Sequence, residues 1–334
     1  MSLSELEPEP LPLVAVAILR TRREFLVTMT LATLGVACTG KKKPSPTPPS
    51  TPASGAATSL GAIKAGATEV SLIQAQSEVQ AGKTLFTFGL VDDKGNLLAG
   101  GSPQVYAAED ETSAPIGPFA ASSFSMDAFQ KYQDNAPVGI TTFYGADLDI
   151  PTPGNWIVLA LADLGGSRAF GQMALQVVAQ PSVGPIGSKA LSVPTPVATT
   201  EAELEQICTR RPVDAMHYIS LEDALTNGLP TVVTFGTPLL CESRICGPVT
   251  DELLSVHDTL GEDKANFIHV EEFLPGPSLT PPPPTLENQS PPFMAWGLET
   301  EPWTFVIDKD GIIQARFEGP VVGSQIEAAL QPLL

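Results

Sequence analysis

The residues of this chain best suited to chemistry are three cysteines and a histidine in its C-terminal part: Cys208, Cys241, Cys246 and His269. A thiolate is a nucleophile and a soft metal ligand, so a working cysteine needs surroundings that lower its pKa. Cys241 and Cys246 enclose four residues, and Cys246-Gly247-Pro248 runs into a helical pattern. Pro248 suits a first helical turn, which puts Cys246 at about the N-cap. Unpaired N–H groups and the macrodipole favour a thiolate there. Arg244 adds positive charge two positions away. A separation of five positions on a loop permits two sulfurs to fold back to bonding distance. Three readings stand side by side: a redox-active disulfide, an inert disulfide, and a copper site, since soft thiolates favour Cu(I). The copper reading takes His269 as third ligand, provided its side chain turns toward the cysteines; the plainer expectation is a strand histidine packed under a loop. His217 and His257 read as surface or helix-face residues. Cys208, beside Arg210-Arg211, is either a resolving thiol that exchanges with the pair or a buried free thiol.

The elements that must position these groups follow from apolar periodicity. From Glu201 strands and helices alternate, which predicts an α/β domain over 201–334 with a central mixed sheet. Residues 216–220 read as a short strand, 221–226 as a short helix and 231–235 as a buried strand. Residues 247–260 form a helix whose stripe is Val249, Leu253, Leu254, Val256 and Leu260, with Asp251, Glu252 and Asp258 outside. A strand follows at 266–270. Strands at 304–307 and 312–317 are joined by Asp308-Lys309-Asp310-Gly311, a hairpin signal, and 325–334 is a closing helix.

Residues 205–334 resemble the thioredoxin superfamily. The likeness rests on the buried strand Thr231-Val232-Val233-Thr234-Phe235 running into cysteines at a helix start, on Cys246-Gly247-Pro248, on Glu301-Pro302 before a strand, and on a closing hairpin that ends Phe317-Glu318-Gly319. It implies thiol–disulfide exchange with protein thiols or disulfides, no required cofactor, and a cis-proline at Pro302 shaping the groove. Cys241 and Cys246 are the preferred redox pair, with Arg244 beside them. Val249 stands where the family places its second cysteine. Phe235-Gly236 and the paired cysteines before Pro248 are also similar to the Sco copper-delivery proteins, which implies copper on Cys241, Cys246 and His269 and a cuproprotein partner. Thr237-Pro238-Leu239-Leu240-Cys241 resembles the peroxiredoxin motif, with Pro238 in the threonine's place. Trp296 and Trp303 flank Pro302 and read as core. The loop 275–292 contains Pro281 to Pro284 and reads as extended and solvated.

Upstream, 66–180 alternates with a period of two: Phe86, Phe88 and Leu90 against Thr87 and Gly89, and Met173, Leu175 and Val177 against Gln172, Ala174 and Gln176. Residues 156–161 are continuously apolar, as in a central strand. Frequent turn signals predict an all-β sandwich of short antiparallel strands. Pro153-Gly154-Asn155-Trp156-Ile157-Val158 resembles bacterial immunoglobulin-like modules. With no cysteine or histidine, and Lys131, Tyr132, Tyr144 and Asp147 scattered, this segment reads as a structural or docking module. Residues 181–200 read as a linker.

Residues 1–38 read as an export signal. Thr21-Arg22-Arg23-Glu24-Phe25-Leu26 resembles the twin-arginine signal, and Cys38 resembles a lipoprotein acceptor. The 13-residue apolar run from Phe25 to Ala37 is short of the ~20 residues of a spanning helix. Residues 39–65 are Pro/Ser/Thr-rich and read as a stalk. The expected site of action is the extracytoplasmic face of the membrane, with a lipid anchor at Cys38. The chain of 334 residues carries 18 Lys+Arg against 37 Asp+Glu, a net charge of −19, which argues against a nucleic-acid partner because no basic stripe could neutralise phosphates.

Overall fold

The computed structural model describes residues 59–128, 142–241, 243–274 and 288–334. These belong to one compact unit, Gly55–Leu334. Arg22, Arg23, Cys38, stalk residues 39–58, Lys131, Tyr132 and Pro281 to Pro284 lie outside the described residues; the end of the expected stalk is folded, with Leu60 and Ile63 buried against Ala108, Leu159 and Phe170. Among the described residues no helix is long and apolar enough to cross a membrane.

The chain is mostly β, with one large mixed sheet, a second sheet and few helices. A short helix, Leu60–Ile63, precedes the first strands: β1 Thr68–Glu69, β2 Ser71–Gln74, β3 Val79–Gln80, β4 Gly82–Val91, β5 Gln104–Ala108, β6 Ile116–Ser125, β7 Thr142–Ile150, β8 Gly154–Leu164 and β9 Ser167–Val178. Their order is β1-β9-β8-β5-β6-β7-β4-β2, with β3 also on β9. The first half of β6 pairs with β5 and the second half with β7. Phe86, Phe88, Tyr144 and Ala146 from β4 and β7 share one core with Val105, Val158, Ala160 and Leu175 from β5, β8 and β9. The sheet is therefore folded over on itself in two layers.

The second sheet has β10 Thr231–Phe235, β11 Asn266–Val270, β12 Trp303–Ile307 and β13 Ile313–Glu318, in the order β11-β10-β12-β13. β10 and β11 are parallel; β12 is antiparallel to both β10 and β13. A parallel neighbour requires a crossover, and the helix Cys246–Leu260 supplies it. Every residue of β10, β11 and β12 is buried. One face packs on Val249, Leu253, Ile326 and Leu330, the other on Leu221, Ala224, Phe293 and Trp296. Strands covered on both sides read as continuous apolar runs, and their few polar groups find partners: Thr234 and Thr304 hydroxyls lie 2.9 Å apart, and Asn266 Nδ2 donates to Thr231 Oγ1 at 3.0 Å.

Three expectations change. Residues 216–220 are turns and bends, not a strand, because Asp214 Oδ1 accepts the Met216 N–H at 3.1 Å and turns the chain. Asp251 and Glu252 do not face solvent: both are buried, Asp251 against Arg210, while Glu252 accepts the N–H groups of Ala128 and Gly323 at 2.8 and 2.7 Å. The first half of the helix is thus covered on its polar side as well, while Asp258 stays exposed as expected. Residues 181–200 hold no helix or strand beyond the Lys189–Ile312 bridge, yet they run along the second sheet: Ile313 N–H donates to Ser188 O at 2.9 Å, and Val183 and Ala190 join its core.

Gly319 closes β13 with φ +78°, and a Cβ there would overlap the Ala75 carbonyl. Gly319→Ala is expected to destabilise by more than Gly228→Ala, whose φ is +87° but whose Cβ would meet open space. The left-handed backbone alone accounts for about 1–3 kcal/mol. Urea midpoints of the two variants measure the difference.

Candidate functional site

Cys241 and Cys246 form a disulfide with Cα atoms 6.0 Å apart. β10 delivers the chain to Gly236, a short loop carries Cys241, and the helix begins at Cys246 with Ile245 as N-cap. Arg244 turns the loop back: it is the non-glycine described residue with positive φ, +60°, and its N–H donates to Cys241 O at 3.2 Å. Its side chain is exposed. The two sulfurs differ in access. Cys246 is fully buried, whereas Cys241 is half-buried. Cys241 Sγ lies 3.4 Å from the Cys246 N–H donor and 3.2 Å from Ser243 Oγ.

The Glu301–Pro302 peptide is cis. A methyl placed on Gly236 would sit 3.3 Å from Pro302 Cβ and 3.4 Å from Cys246 Cβ, so proline and cysteine meet over this glycine. The residue before the proline adds a group that sequence reasoning quoted only as part of a motif. A Glu301 carboxyl oxygen and both sulfurs lie within 4.8 Å of one another. Glu301 also accepts the Thr237 N–H at 2.6 Å. Burial, then the neighbouring Glu272, pushes its pKa up to about 9. Both causes favour the protonated carboxyl beside the disulfide. A mostly apolar cavity of about 350 Å³ opens here, lined by Phe88 and Phe143 of the first sheet and by Ser243, Ile245, Thr300 and Glu301. Trp296 and Trp303 are core, packed on Phe305.

His269 is a buried strand residue, but it does not join the pair. Its Nδ1 lies 2.9 Å from Asp214 Oδ2 and its Nε2 3.0 Å from Gly236 O. The set that clusters with it is Cys208, Asp214 and His217, all buried. Cys208 is a free, fully buried thiol that donates to Asp214 Oδ2 at 3.2 Å. His217 is 2% exposed, not a surface residue; its place on a turn rather than a strand brings it inward. His257 lies on the helix near Asp258 and Glu262, at 3.1 and 3.3 Å. Thr209 N–H and Oγ1 hold Glu271 at 2.5 and 2.8 Å.

The electrostatics of this cluster are steep. Burial raises the Cys208 thiol pKa, and Asp214 adds to it. Burial lowers His217 to about 4 and raises Glu271 to about 7. Burial opposes the charge on both Asp214 and His269, but their mutual attraction overrides it, so Asp214 stays low and His269 well above the ordinary histidine range.

Neither a protein-family model nor a curated protein sequence matches this chain. Several solved structures resemble parts of it. One is the Lin-41 filamin domain, 13% identical over 34% of this chain and 95% of that one, with a TM-score of 0.19. Another is a thiol:disulfide interchange protein of the thioredoxin family from Chlorobium tepidum TLS, 18% identical over 43% of this chain and 99% of that one, with a TM-score of 0.24.

Proposed function

We propose that this chain is a thiol–disulfide exchange protein acting on the extracytoplasmic face of the membrane, to which a lipid on Cys38 holds it. Its second sheet and helices form a thioredoxin-like module, and the folded-over first sheet forms an immunoglobulin-like one. The observation that carries the reading is a disulfide at a helix start with one reachable sulfur and one buried sulfur, beside Pro302 and Glu301. The Arg22-Arg23 signal supports export, and oxidising compartments are where such disulfides persist.

The chemistry proceeds in two balanced exchanges. A partner thiolate attacks Cys241 Sγ; the new S–S bond joins the partner to Cys241, and the electron pair of the broken bond leaves on Cys246. The Glu301 carboxyl gives its proton to that thiolate and becomes a carboxylate. A second partner thiol then displaces Cys241, leaving a dithiol here and a disulfide on the partner. Reduction of a partner disulfide runs the same steps backward. The cavity bordered by Phe88, Phe143 and Ile245 is the surface against which an apolar stretch of the partner lies. Copper delivery is the weaker reading, because the group beside the sulfurs is a carboxyl, a hard ligand poorly matched to Cu(I).

Redox titration with thiol trapping and mass spectrometry tests this. A potential between about −120 and −270 mV is the range of exchange catalysts, and one below about −300 mV marks an inert bridge and removes the proposal. The unequal access gives a second expectation. With glutathione disulfide as probe, Cys246→Ser forms a mixed disulfide on Cys241 at least about tenfold faster than Cys241→Ser forms one on Cys246, because the latter thiol is buried. Adduct mass against time reads the difference.

A further inference from the structure

Apart from the disulfide, the molecule carries a second cluster with a ligand set. Cys208 ends the helix Glu201–Ile207, Asp214 and His217 follow in one turn, and His269 reaches in from β11. One donor atom from each lies within 4.8 Å of all the others, and all four residues are buried. Asp214 sits at the hub: its Oδ2 lies 3.2 Å from Cys208 Sγ and 2.9 Å from His269 Nδ1, and its Oδ1 lies 3.7 Å from His217 Nε2. A tetrahedral ion with bonds of about 2.0–2.3 Å has ligand-to-ligand edges of about 3.3–3.8 Å. The two Asp214 Oδ2 spacings fall short of those edges by a few tenths of an ångström.

Two further observations point to a ligand rather than a hydrogen-bonded core. His217 Nε2 is buried with no hydrogen-bond partner, although His217 is only 2% exposed. A buried polar atom without a partner calls for an ion or water, and this one faces Asp214. His269 is oriented as a ligating histidine is: Nε2 lies 3.0 Å from the Gly236 carbonyl, and Nδ1 faces the cluster, 2.9 Å from Asp214 Oδ2.

We infer that Cys208, Asp214, His217 and His269 form a closed structural site for a divalent ion of the zinc class. One thiolate, two imidazoles and one carboxylate are the mixed donors zinc accepts, and four protein ligands leave no open position for catalysis. On binding, bonds to the metal replace the Cys208 S–H bond and the His269 Nδ1–H bond, and both protons leave to solvent. The ion would pin the 208–217 turn to β11. Through His269 and Gly236 it would stiffen the strand end that abuts Cys246 and Pro302. Cys208 is then a ligand, outside the exchange chemistry.

The test uses the full chain with Cys241–Cys246 kept oxidised, stripped of metal and then given Zn²⁺ or Co²⁺. One equivalent of zinc retained through gel filtration is expected, with a thiolate-to-cobalt charge-transfer band after Co²⁺ addition. Cys208→Ser should abolish the band and weaken zinc binding by more than about 100-fold, the upper end of the loss from outer-shell changes alone. His217→Gln should weaken binding likewise; it removes no hydrogen bond at Nε2, so its fold, followed by circular dichroism, is kept even if Cys208→Ser misfolds. The double variant Cys241→Ser, Cys246→Ser should retain the ion. Absence of a retained equivalent, retention in both Cys208→Ser and His217→Gln, or loss in the double variant overturns the assignment. Because the oxidised pair takes no part, failure here leaves the exchange reading standing.

Discussion

Arg210→Met is expected to lower the unfolding free energy by about 3–5 kcal/mol near pH 8, the range for removing one partner of a buried ion pair. Arg210 is 2% exposed and Asp251 is fully buried, with Nε and Oδ1 2.6 Å apart. The guanidinium also donates to the Pro212 carbonyl at 2.6 Å, so it ties the loop after Cys208 to the long helix. Removing it strands a carboxylate with no access to water. The effect should depend on pH with a definite sign. Burial raises the Asp251 pKa to about 6, with Arg210 pulling the other way. An acid whose folded pKa is raised contributes stability that is full below its unfolded pKa, about 4, and lost as pH rises through the folded value. Without Arg210 that folded value climbs further. The cost of the substitution should therefore be largest at pH 8 and shrink below pH 6, where a neutral Asp251 needs no counter-charge. Urea unfolding at pH 5 and pH 8 checks this. Adding Asp251→Leu to Arg210→Met should restore most of the stability, since an apolar replacement of both partners leaves no stranded charge. A pH-independent loss would mean that Arg210 acts by packing alone.

Glu301→Gln is expected to slow reduction of the Cys241–Cys246 disulfide by about 100-fold at pH 7, the lower end of what a positioned acid contributes. The amide still has an oxygen to accept the Thr237 N–H, so the loop geometry survives, but it has no proton to give the departing Cys246 sulfur. Two pH signatures separate this from a structural role. The wild-type rate should carry a limb at about pH 9, where Glu301 ionises, and the variant should lack it. Stability should move the same way: with its folded pKa raised, Glu301 contributes fully below the ordinary glutamate range and loses that contribution as pH climbs through about 9. The Gln variant should show a flatter stability profile over that window. A variant with wild-type rates and an unchanged limb would remove Glu301 from the exchange step.

Much of the architecture was readable from local pattern. Val232, Val233 and Phe235 announce a doubly covered strand. Val249, Leu253, Leu254 and Val256 announce one face of a helix, and Cys246-Gly247-Pro248 announces its start. Phe86, Phe88 and Leu90 show the period of two on β4. Each signal is carried by residues within one element, where backbone geometry alone sets the spacing. The pairing of Cys241 with Cys246 was also within reach, since five positions limit how far apart two sulfurs can lie. The partners of the helix's acids were not. Asp251 and Glu252 occupy positions that an isolated helix shows to water; they are buried because Arg210, Ala128 and Gly323 arrive from elsewhere in the chain.

His269 marks the division most clearly. Sequence by itself determined that it lies on a buried strand, because Phe267, Ile268 and Val270 around it are apolar. It could not determine what the ring meets. All five residues of β11 are buried, so alternation no longer separates an inner face from an outer one, and both faces are core. Only the packing of the turn that carries Asp214 and His217, reached after a bend that Asp214 itself makes, decided that His269 joins Cys208 and not the disulfide. The same holds for Glu301, whose place beside two sulfurs depends on two strands, β10 and β12, paired across some seventy intervening residues. Local sequence sets the elements through short-range sterics and hydrophobic period; the charges and ligands that meet across them are set by long-range packing, which no single segment encodes.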